Sequence, residues 1–415
     1  MWDPYANFES TTLSNDLEVH ILHLPGRPWV RVGFQIYSGA NQDPPGREGV
    51  AHFVEHMVSE NTNVSKQQLE DFFLENGGEA TLGVTSYHWT RYGFFAPAET
   101  RNLAKSFEVF GEMLFNGSLV NNYERERGVI HQEFKRRFPN DLALEQFQSI
   151  RNALMPNTRM AHSRALGLPE TIEAISTTDL QTFYDLHYTP QNTAIVCVGG
   201  KTIDEVVSIL SGSPFAQEKA GRRTRGEAPA TEVRLPTSTR KVMSIGEYSR
   251  GFTGSGLEVH ALLPSSIHPE HVNVFRALLS RQLNAEFREK HAWTYGISAS
   301  MDARPSFTDL SITSNVMVRE ALEQSSDLVT ECVKLVVEDQ EGFERQKRIE
   351  IADVMMRDHN SSKICDLAQD MLWIMGAIES GQDDIDTISR MDYSDLKEIA
   401  QYLMPERRFD LLIKP

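Results

Sequence analysis

Apolar and polar residues alternate near the start of the chain, which is the pattern of half-buried β-strands. Residues 17–24 and 30–37 both alternate, and Pro-Gly-Arg-Pro at 25–28 separates them, so we expect two strands joined by a turn. Beyond Gly39 the apolar positions take on a helical period. The same reasoning predicts helices from about Gly49 and over 66–75, 99–115 and 123–138, and strands over 85–96 and 193–198.

Three short matches relate the second half of the chain to the first. They pair Tyr123-Glu-Arg with Phe343-Glu-Arg, Asp179-Leu180 with Asp395-Leu396, and Thr189-Pro190 with Met404-Pro405, at offsets of 220, 216 and 215 residues. Matches in one order at nearly constant offset indicate a duplicated unit of about 200 residues. Strands and long helices segregate in each half, which favours an α+β fold over a doubly wound sheet.

The predicted organisation is two tandem, homologous α+β domains, each with an antiparallel-rich sheet packed against helices. At 415 residues the chain is too long for one ordinary domain. Periodicity is lost between about 211 and 240, where Gly, Pro, Thr, Arg and Glu dominate. We therefore expect an N-terminal domain over 1–212, a linker over 213–240 and a C-terminal domain over 241–415.

Composition excludes several classes of protein. The chain is 40 % apolar and 24 % charged, as in soluble globular proteins, and the start lacks the features of a signal peptide, so the expected location is the cytoplasm. A net charge of −17 argues against a nucleic-acid partner and is compatible with basic peptides. Cys197, Cys332 and Cys365 are scattered, which predicts buried free thiols.

His52, Glu55 and His56 form the motif H-x-x-E-H in a predicted helix. Residues four apart lie one turn apart on the same helical face. Two imidazoles and a carboxylate can hold zinc with an open fourth position, and a carboxylate that is not a ligand can deprotonate the metal-bound water. The alternative is an exposed amphipathic helix with two histidines. The apolar flanks Val50-Ala51 and Phe53-Val54 argue against it, because buried histidines need polar partners.

A second acidic pair, Glu126 and Glu133, lies in the predicted helix 123–138. The two residues are seven apart, which places them two turns apart on one helical face. Basic residues surround them at Arg125, Arg127, Lys135 and Arg136. Taken alone, this segment favours a solvated, charged helix over a metal site.

The combination of motifs resembles the pitrilysin-type zinc peptidases, also called inverzincins. Glu133 follows His56 by 77 positions and Glu126 by seven, as the glutamate ligand does in that family. Gly49-Val-Ala-His-Phe-Val-Glu-His-Met is similar to the family's Gly-Leu-Ala-His-Phe-Leu-Glu-His-Met, and the run from Phe287 to Tyr295 is similar to the family's Arg/Tyr segment. The resemblance covers nearly the whole chain and fits the short branch that includes mitochondrial processing peptidase and its bacterial relatives.

The resemblance implies a zinc-dependent metalloendopeptidase and a role for each matching residue. His52, His56 and Glu133 would be the zinc ligands, Glu55 the general base, Glu126 a second acid that supports the site, and Arg288 and Tyr295 the groups that bind the substrate backbone. Without the resemblance, Arg288 would be a surface arginine and Tyr295 a core residue of a strand.

The resemblance also implies an assembly. Relatives close a clamshell chamber from four such domains, so a chain with two domains forms half of it and must pair. Because the zinc motif and the Arg/Tyr pair occur in one chain, we expect a homodimer that cleaves oligopeptides, with a heterodimer as the alternative. Two other functions stay open, namely an inactive or partner subunit of a processing peptidase, and a maturation protease dedicated to one peptide precursor.

The sequence departs from the family pattern on the edge strand that receives substrate. After Gly77-Gly78, the family usually has Asn-Ala, whereas Leu82-Gly83 stands at that position here. Backbone pairing of a peptide to an edge strand would survive this change, but side-chain contacts would not. The second half has no H-x-x-E-H, and the histidines nearest in pattern, His268 and His271, have the wrong spacing.

Overall fold

The computed structural model describes residues 3–61, 63, 65–162, 164–224, 233–244, 255–356 and 360–414. The chain divides into two compact units. Unit 1 comprises Met1–Phe134, Ser163–Ala228 and Asp358–Ser380, and unit 2 comprises Lys135–His162, Pro229–Arg357 and Gly381–Pro415. Each unit therefore takes a short segment from the opposite half of the chain.

The strands of unit 1 are β1 (Glu9–Thr12), β2 (Glu18–His23), β3 (Trp29–Ile36), β4 (Glu79–Thr85), β5 (Thr90–Pro97) and β6 (Thr193–Gly199). They form one sheet in the order β1-β2-β6-β3-β5-β4, in which β2 and β6 are parallel and the other neighbours antiparallel. β2, β3 and β6 confirm the predicted strands. The predicted strand 85–96 is wrong in its extent, because the chain turns between Thr85 and Thr90 to form the β4–β5 hairpin.

The strands of unit 2 are β7 (Arg240–Ser244), β8 (Ser255–Pro264), β9 (Ser298–Ala303), β10 (Phe307–Met317) and β11 (Phe409–Lys414). Their order is β7-β11-β8-β10-β9. The last strand, β11, is parallel to β7 and antiparallel to β8, just as β6 is parallel to β2 and antiparallel to β3. The two sheets thus share one topology, which confirms two tandem α+β domains related by duplication.

The helices pack on these sheets and on one another. In chain order they are α1 (Val50–Val58), α2 (Lys66–Glu75), α3 (Thr100–Phe115), α4 (Tyr123–Arg137), α5 (Asp141–Leu154), α6 (Arg159–His162), α7 (Pro169–Ala174), α8 (Thr177–His187), α9 (Ile203–Ser211), α10 (Pro269–Leu283), α11 (Leu322–Glu338), α12 (Gln340–Met356), α13 (Ser361–Ile374), α14 (Gly381–Arg390) and α15 (Tyr393–Tyr402). The four helices predicted in the first third are confirmed as α1 to α4. Within the described residues, none of the helices combines the length and apolarity that crossing a bilayer requires.

β6 is buried along its whole length because helices cover both faces of its sheet. Ile195 and Cys197 face the main core of unit 1. Val196 and Val198 face the opposite side, where they pack with α13, a helix from the second half of the chain. The three cysteines are buried free thiols, as predicted.

α5 and α13 occupy equivalent places in the duplicated chain, since each has 14 residues and their starts differ by 220 positions. α13 belongs to unit 1, whereas α5 belongs to unit 2. Of the expected linker 213–240, residues 225–232 lie outside the described residues. Phe215, near the start of that segment, is buried in the core of unit 1, where it stacks on Phe34 at a centroid distance of 5.2 Å.

Candidate metal centre

α1 places two histidines on one face of a buried helix. Asp43 fixes the start of the helix, because its two carboxylate oxygens accept hydrogen bonds from the backbone N–H groups of Gly49 and Ala51 at 2.7 and 2.8 Å. His52 and His56 lie one turn apart with ring centroids separated by 4.8 Å. The other residues of α1 that the core buries are Val50, Ala51, Phe53, Val54, Met57 and Val58.

α4 brings a carboxylate to these two rings. Oε2 of Glu133 lies 3.5 Å from Nε2 of His52 and 3.7 Å from Nε2 of His56. The potential ligand atoms of the three residues all lie within 4.8 Å of one another. Among the described residues, this is the one group of three or more His, Cys, Asp or Glu side chains whose spacing could hold a metal ion.

Glu126, two turns before Glu133 on α4, contacts the other nitrogen of the His56 ring. Its Oε2 lies 3.2 Å from Nδ1 of His56, and this hydrogen bond is the largest cause of a pKa of Glu126 below the ordinary value. An ionised carboxylate can only accept, so Nδ1 carries the proton and donates. The other ring nitrogen of His56, Nε2, faces Glu133. Arg125 donates to Oε1 of Glu126 at 3.0 Å and holds that carboxylate in place.

The charges of this group fit a divalent cation. Burial would lower the pKa of His56, but the hydrogen bonds with Glu126 and Glu133 outweigh it and raise the pKa to about 9. In the absence of a metal, the two carboxylates therefore favour a positive charge on the ring. A cation held by His52, His56 and Glu133 would replace that charge and leave the bond from Nδ1 to Glu126 intact. Two imidazoles and a carboxylate form a donor set used by catalytic zinc.

Glu55 projects from α1 beside this group without belonging to it. Its Oε2 accepts a hydrogen bond from the Thr85 hydroxyl on β4 at 2.9 Å. Burial is the largest cause of a raised pKa of Glu55, and the nearby charge of Glu133 acts in the same direction. A carboxylate with a raised pKa next to a candidate metal site is suited to accept a proton and return it.

A cavity of about 550 Å³ opens beside Glu55 and His56. Its walls come from the end of α1, from α2, from β4 and from α4. The lining is mostly polar or charged: it includes Ser59, Glu60, Lys66, Gln67, Glu70, Arg125 and Glu126, with Leu82 and Val129 as the apolar members. A cavity of this size beside the candidate centre can hold side chains of a peptide.

The remaining two predicted site residues lie in unit 2. Arg288 belongs to the π-helical segment Asn284–Lys290 that continues α10. Its guanidinium carbon lies 4.9 Å from the ring centroid of Tyr295, so the two side chains are in contact. Tyr295 is 84 % exposed and is therefore not a core residue.

Three further residues shape the site, and their roles were not predicted from the sequence. Asp43 fixes the start of α1, Thr85 donates to Glu55, and Gly83 lies against the Glu55 carboxylate. Thr85 is 30 residues from Glu55, and a hydrogen bond at that separation leaves no periodic pattern.

Two models of protein families match the chain. The model described as "Insulinase (Peptidase family M16)" matches residues 18–163, and the model described as "Peptidase M16 inactive domain" matches residues 174–350. The second match begins at the end of α7 in unit 1 and ends within α12 in unit 2, and its residues contain no H-x-x-E-H.

The curated relatives each match about half of the chain. "Probable zinc protease PqqL" of Escherichia coli (strain K12) is 30 % identical over 207 residues, which are 48 % of this chain and 22 % of that protein. "Mitochondrial-processing peptidase subunit beta" of Homo sapiens is 30 % identical over 179 residues, 43 % of this chain and 36 % of that protein. The chain thus spans less than half the length of either relative.

Solved structures share the fold over nearly the whole chain. A protease from Helicobacter pylori superposes with a TM-score of 0.82 at 20 % identity and covers 100 % of both chains. Pitrilysin superposes with a TM-score of 0.73 at 16 % identity, over 98 % of this chain and 45 % of pitrilysin. Because the two family models together cover most of the sequence, the chain belongs to the insulinase family of peptidases, peptidase family M16.

Proposed function

We propose that this chain is a zinc-dependent endopeptidase that hydrolyses oligopeptides. The observation that carries the proposal is the convergence of His52, His56 and Glu133 on one point, with the carboxylate of Glu55 beside them. The names of relatives such as "Probable zinc protease PqqL" support it.

Each residue of the group has a distinct task in this proposal. His52, His56 and Glu133 hold the zinc ion. When bound, zinc supplies Lewis acidity that polarises a carbonyl and lowers the pKa of water towards about 7. Glu55 accepts the proton of the attacking water and returns it to the leaving amine. Glu126 keeps the proton of His56 on Nδ1, which leaves Nε2 available as a ligand.

The substrate would bind in an extended conformation along β4. This strand is the outermost of its sheet and pairs with β5 on one side. An extended peptide can add to such an edge through main-chain hydrogen bonds, which fix its path without requiring particular side chains. Thr85 on β4 contacts Glu55, so a peptide on this edge passes close to the proposed base. Side chains next to the cleaved bond would enter the cavity of about 550 Å³.

Two further parts of the proposal concern unit 2 and the assembly. Arg288 and Tyr295 would donate hydrogen bonds to the substrate backbone near the scissile carbonyl and so stabilise the developing oxyanion. Two copies of the chain would pair as a homodimer around a chamber. One relative is by its name a "subunit beta", so a heterodimer with a homologous subunit is the alternative. Light scattering should show a dimer of the purified chain, and a monomer at every concentration would count against the homodimer.

Metal analysis combined with a peptide library tests the central proposal. We expect one zinc ion per chain, cleavage of library peptides detected by mass spectrometry, loss of cleavage with a chelator, and recovery when zinc is added back. Glu55→Gln should keep the zinc and lose about 10²- to 10⁴-fold in turnover. Glu75→Gln, at an exposed position of α2, is the matched control and should behave like the original chain.

Three outcomes would contradict the proposal in different ways. A chain that binds zinc but cleaves no peptide would support an inactive partner subunit. If the chain binds no zinc, the proposed metal site itself is rejected. Turnover of Glu55→Gln close to that of the unmodified chain would leave zinc chemistry possible and would reject Glu55 as the base.

A further inference from the structure

β4 is irregular at the point where it passes Glu55. Its pairing with β5 is in register from Glu79 to Thr81 and shifts before Val84, so Leu82 and Gly83 sit in a bulge. Gly83 has φ of +145°, a backbone conformation that residues with a side chain rarely adopt. The bulge falls on the two positions where the sequence departs from the family pattern.

The backbone of the bulge lies directly against the Glu55 side chain. A Cβ atom added at Gly83 would lie 2.5 Å from both Cγ and Oε1 of Glu55, far inside van der Waals contact. The other carboxylate oxygen, Oε2, accepts the hydrogen bond from Thr85 at 2.9 Å. The carboxylate is therefore fixed from two sides by a single strand, by a hydrogen bond at Thr85 and by backbone contact at Gly83.

We infer that Gly83 is a positioning residue for Glu55: the missing side chain lets the carboxylate sit against β4, where it faces the candidate metal group. A side chain at 83 would displace Oε1 and with it the proton acceptor. This inference rests on the proposed function, because it assigns to Gly83 a role in the same proton transfer.

Replacing Gly83 by alanine should reduce activity more than it reduces the stability of the fold. The atoms that a new Cβ would meet are Cγ, Cδ and Oε1 of the one side chain Glu55. Rotation of Glu55 about χ1 can relieve the clash, but it also breaks the hydrogen bond from Thr85. Backbone strain is a separate effect, and Gly77 provides a control for it. Gly77 has φ of +70°, and no atom lies within 4 Å of a Cβ added there, so Gly77→Ala introduces left-handed backbone strain without a contact to Glu55.

The kinetic experiment compares Gly83→Ala with Gly77→Ala on one library-derived peptide. Gly83→Ala should lower kcat by about 10²-fold, because a displacement of about 1 Å in a reacting group has that effect. The zinc content should stay within about twofold because the ligands do not change, and KM should change less than kcat because a peptide pairs with β4 through its backbone. Gly77→Ala should keep kcat. A kcat of Gly83→Ala within twofold of the unmodified chain would overturn the inference, as would an equal loss in both variants.

A stability experiment tests the contact without relying on activity. Gly83→Ala is combined with Glu55→Ala, which removes the atoms that the new Cβ would meet. The drop in Tm caused by Gly83→Ala should be smaller in the Glu55→Ala background, because only backbone strain remains there. An equal drop in both backgrounds would show that the two residues do not interact and would reject the inference. If Gly83→Ala fails to fold by itself, recovery of folding in the double variant supports the contact, and failure of both variants rejects it.

The two experiments separate the inference from the function it rests on. Suppose that the drop in Tm caused by Gly83→Ala is smaller in the Glu55→Ala background, but the unmodified chain cleaves no peptide. The contact between the two residues would then be established, and the proposed peptidase function would be rejected together with the positioning role of Gly83. An active chain without coupling would keep the peptidase function and reject only the role of Gly83.

Discussion

Oε2 of Glu126 accepts a hydrogen bond from Nδ1 of His56 at 3.2 Å. Glu133, seven residues further along α4, reaches Nε2 of the same ring at 3.7 Å. One helix thus serves both nitrogens of one histidine, and the two carboxylates have different tasks. In the proposed metal centre, Glu126 would set the tautomer of the neutral His56 ring, and Glu133 would complete the ligand group.

This relationship predicts the effect of Glu126→Ala. Zinc affinity should fall about 10- to 100-fold, because His56 loses the partner that keeps Nε2 free of a proton. The measurement is a titration against a chromophoric zinc chelator at neutral pH. Glu124→Ala serves as the control, since the Glu124 side chain on the same helix is 75 % exposed and should have no effect. Equal affinities for Glu126→Ala and the unmodified chain would remove Glu126 from the site.

A partly buried histidine with a raised pKa predicts how the stability of unit 2 depends on pH. Burial opposes a charge on His260, but the carboxylates of Asp309 at 3.1 Å and Glu258 at 3.8 Å outweigh it and raise the pKa to about 10. Because the folded pKa lies above the unfolded value of about 6.5, the stabilisation is complete below pH 6.5 and is lost as the pH rises towards 10. A cavity of about 210 Å³ lies beside His260, and its lining also includes Asp302, Arg304 and Arg151.

Urea unfolding between pH 6 and pH 10 measures this dependence. We expect the free energy of unfolding to fall over this range, and His260→Gln to remove about 2 kcal/mol at pH 6, the worth of a buried hydrogen bond to a charged group. The difference between the two proteins should shrink as the pH approaches 10. A constant difference across the range would mean that His260 does not carry the charge.

Arg408 predicts a large loss of stability on substitution. The side chain is fully buried, donates to Asp410 at 2.8 Å, and also donates to the backbone carbonyls of Leu403 and Ser326, each at 2.7 Å. Arg408→Met should lower the free energy of unfolding by about 3–5 kcal/mol, because it leaves Asp410 as an unpaired buried charge. Denaturant titration of the purified variant provides the value.

Two further variants test the cause of this loss. Arg345→Met, at an exposed position of α12, should stay within about 0.5 kcal/mol of the unmodified chain. The double variant Arg408→Met/Asp410→Leu should be more stable than Arg408→Met alone, since it removes the unpaired charge. A double variant less stable than the single one would assign the loss to packing.

The hairpin of β4 and β5 shows where periodicity misleads. Residues 85–96 look like one strand because no glycine or proline interrupts 86–89. The chain nevertheless turns there, and Ser86 donates its N–H to the carbonyl of Trp89 at 2.8 Å. Carbonyls of Ser86 and Tyr87 accept hydrogen bonds from the backbone of Ala40 and Asn41. The turn therefore depends on partners more than forty positions away in sequence, which a local pattern cannot contain.

Local geometry and the duplication could be predicted from the amino-acid sequence alone. The four-residue spacing of His52 and His56 and the seven-residue spacing of Glu126 and Glu133 each place two side chains on one helical face, and the repeated matches predicted two similar α+β domains. These features depend on short-range periods or on internal comparison, both of which are visible along the chain.

The contacts between these segments, in contrast, are visible only in the folded chain. The packing of α1 and α4 brings Glu133 to two histidines more than seventy positions earlier, and the bulge of β4 sets Gly83 against Glu55. No local sequence pattern indicates that α5 belongs to unit 2 and α13 to unit 1. Contacts of this kind arise from burial of apolar faces between segments far apart in sequence, so their partners are fixed by the assembled core and not by the spacing of residues.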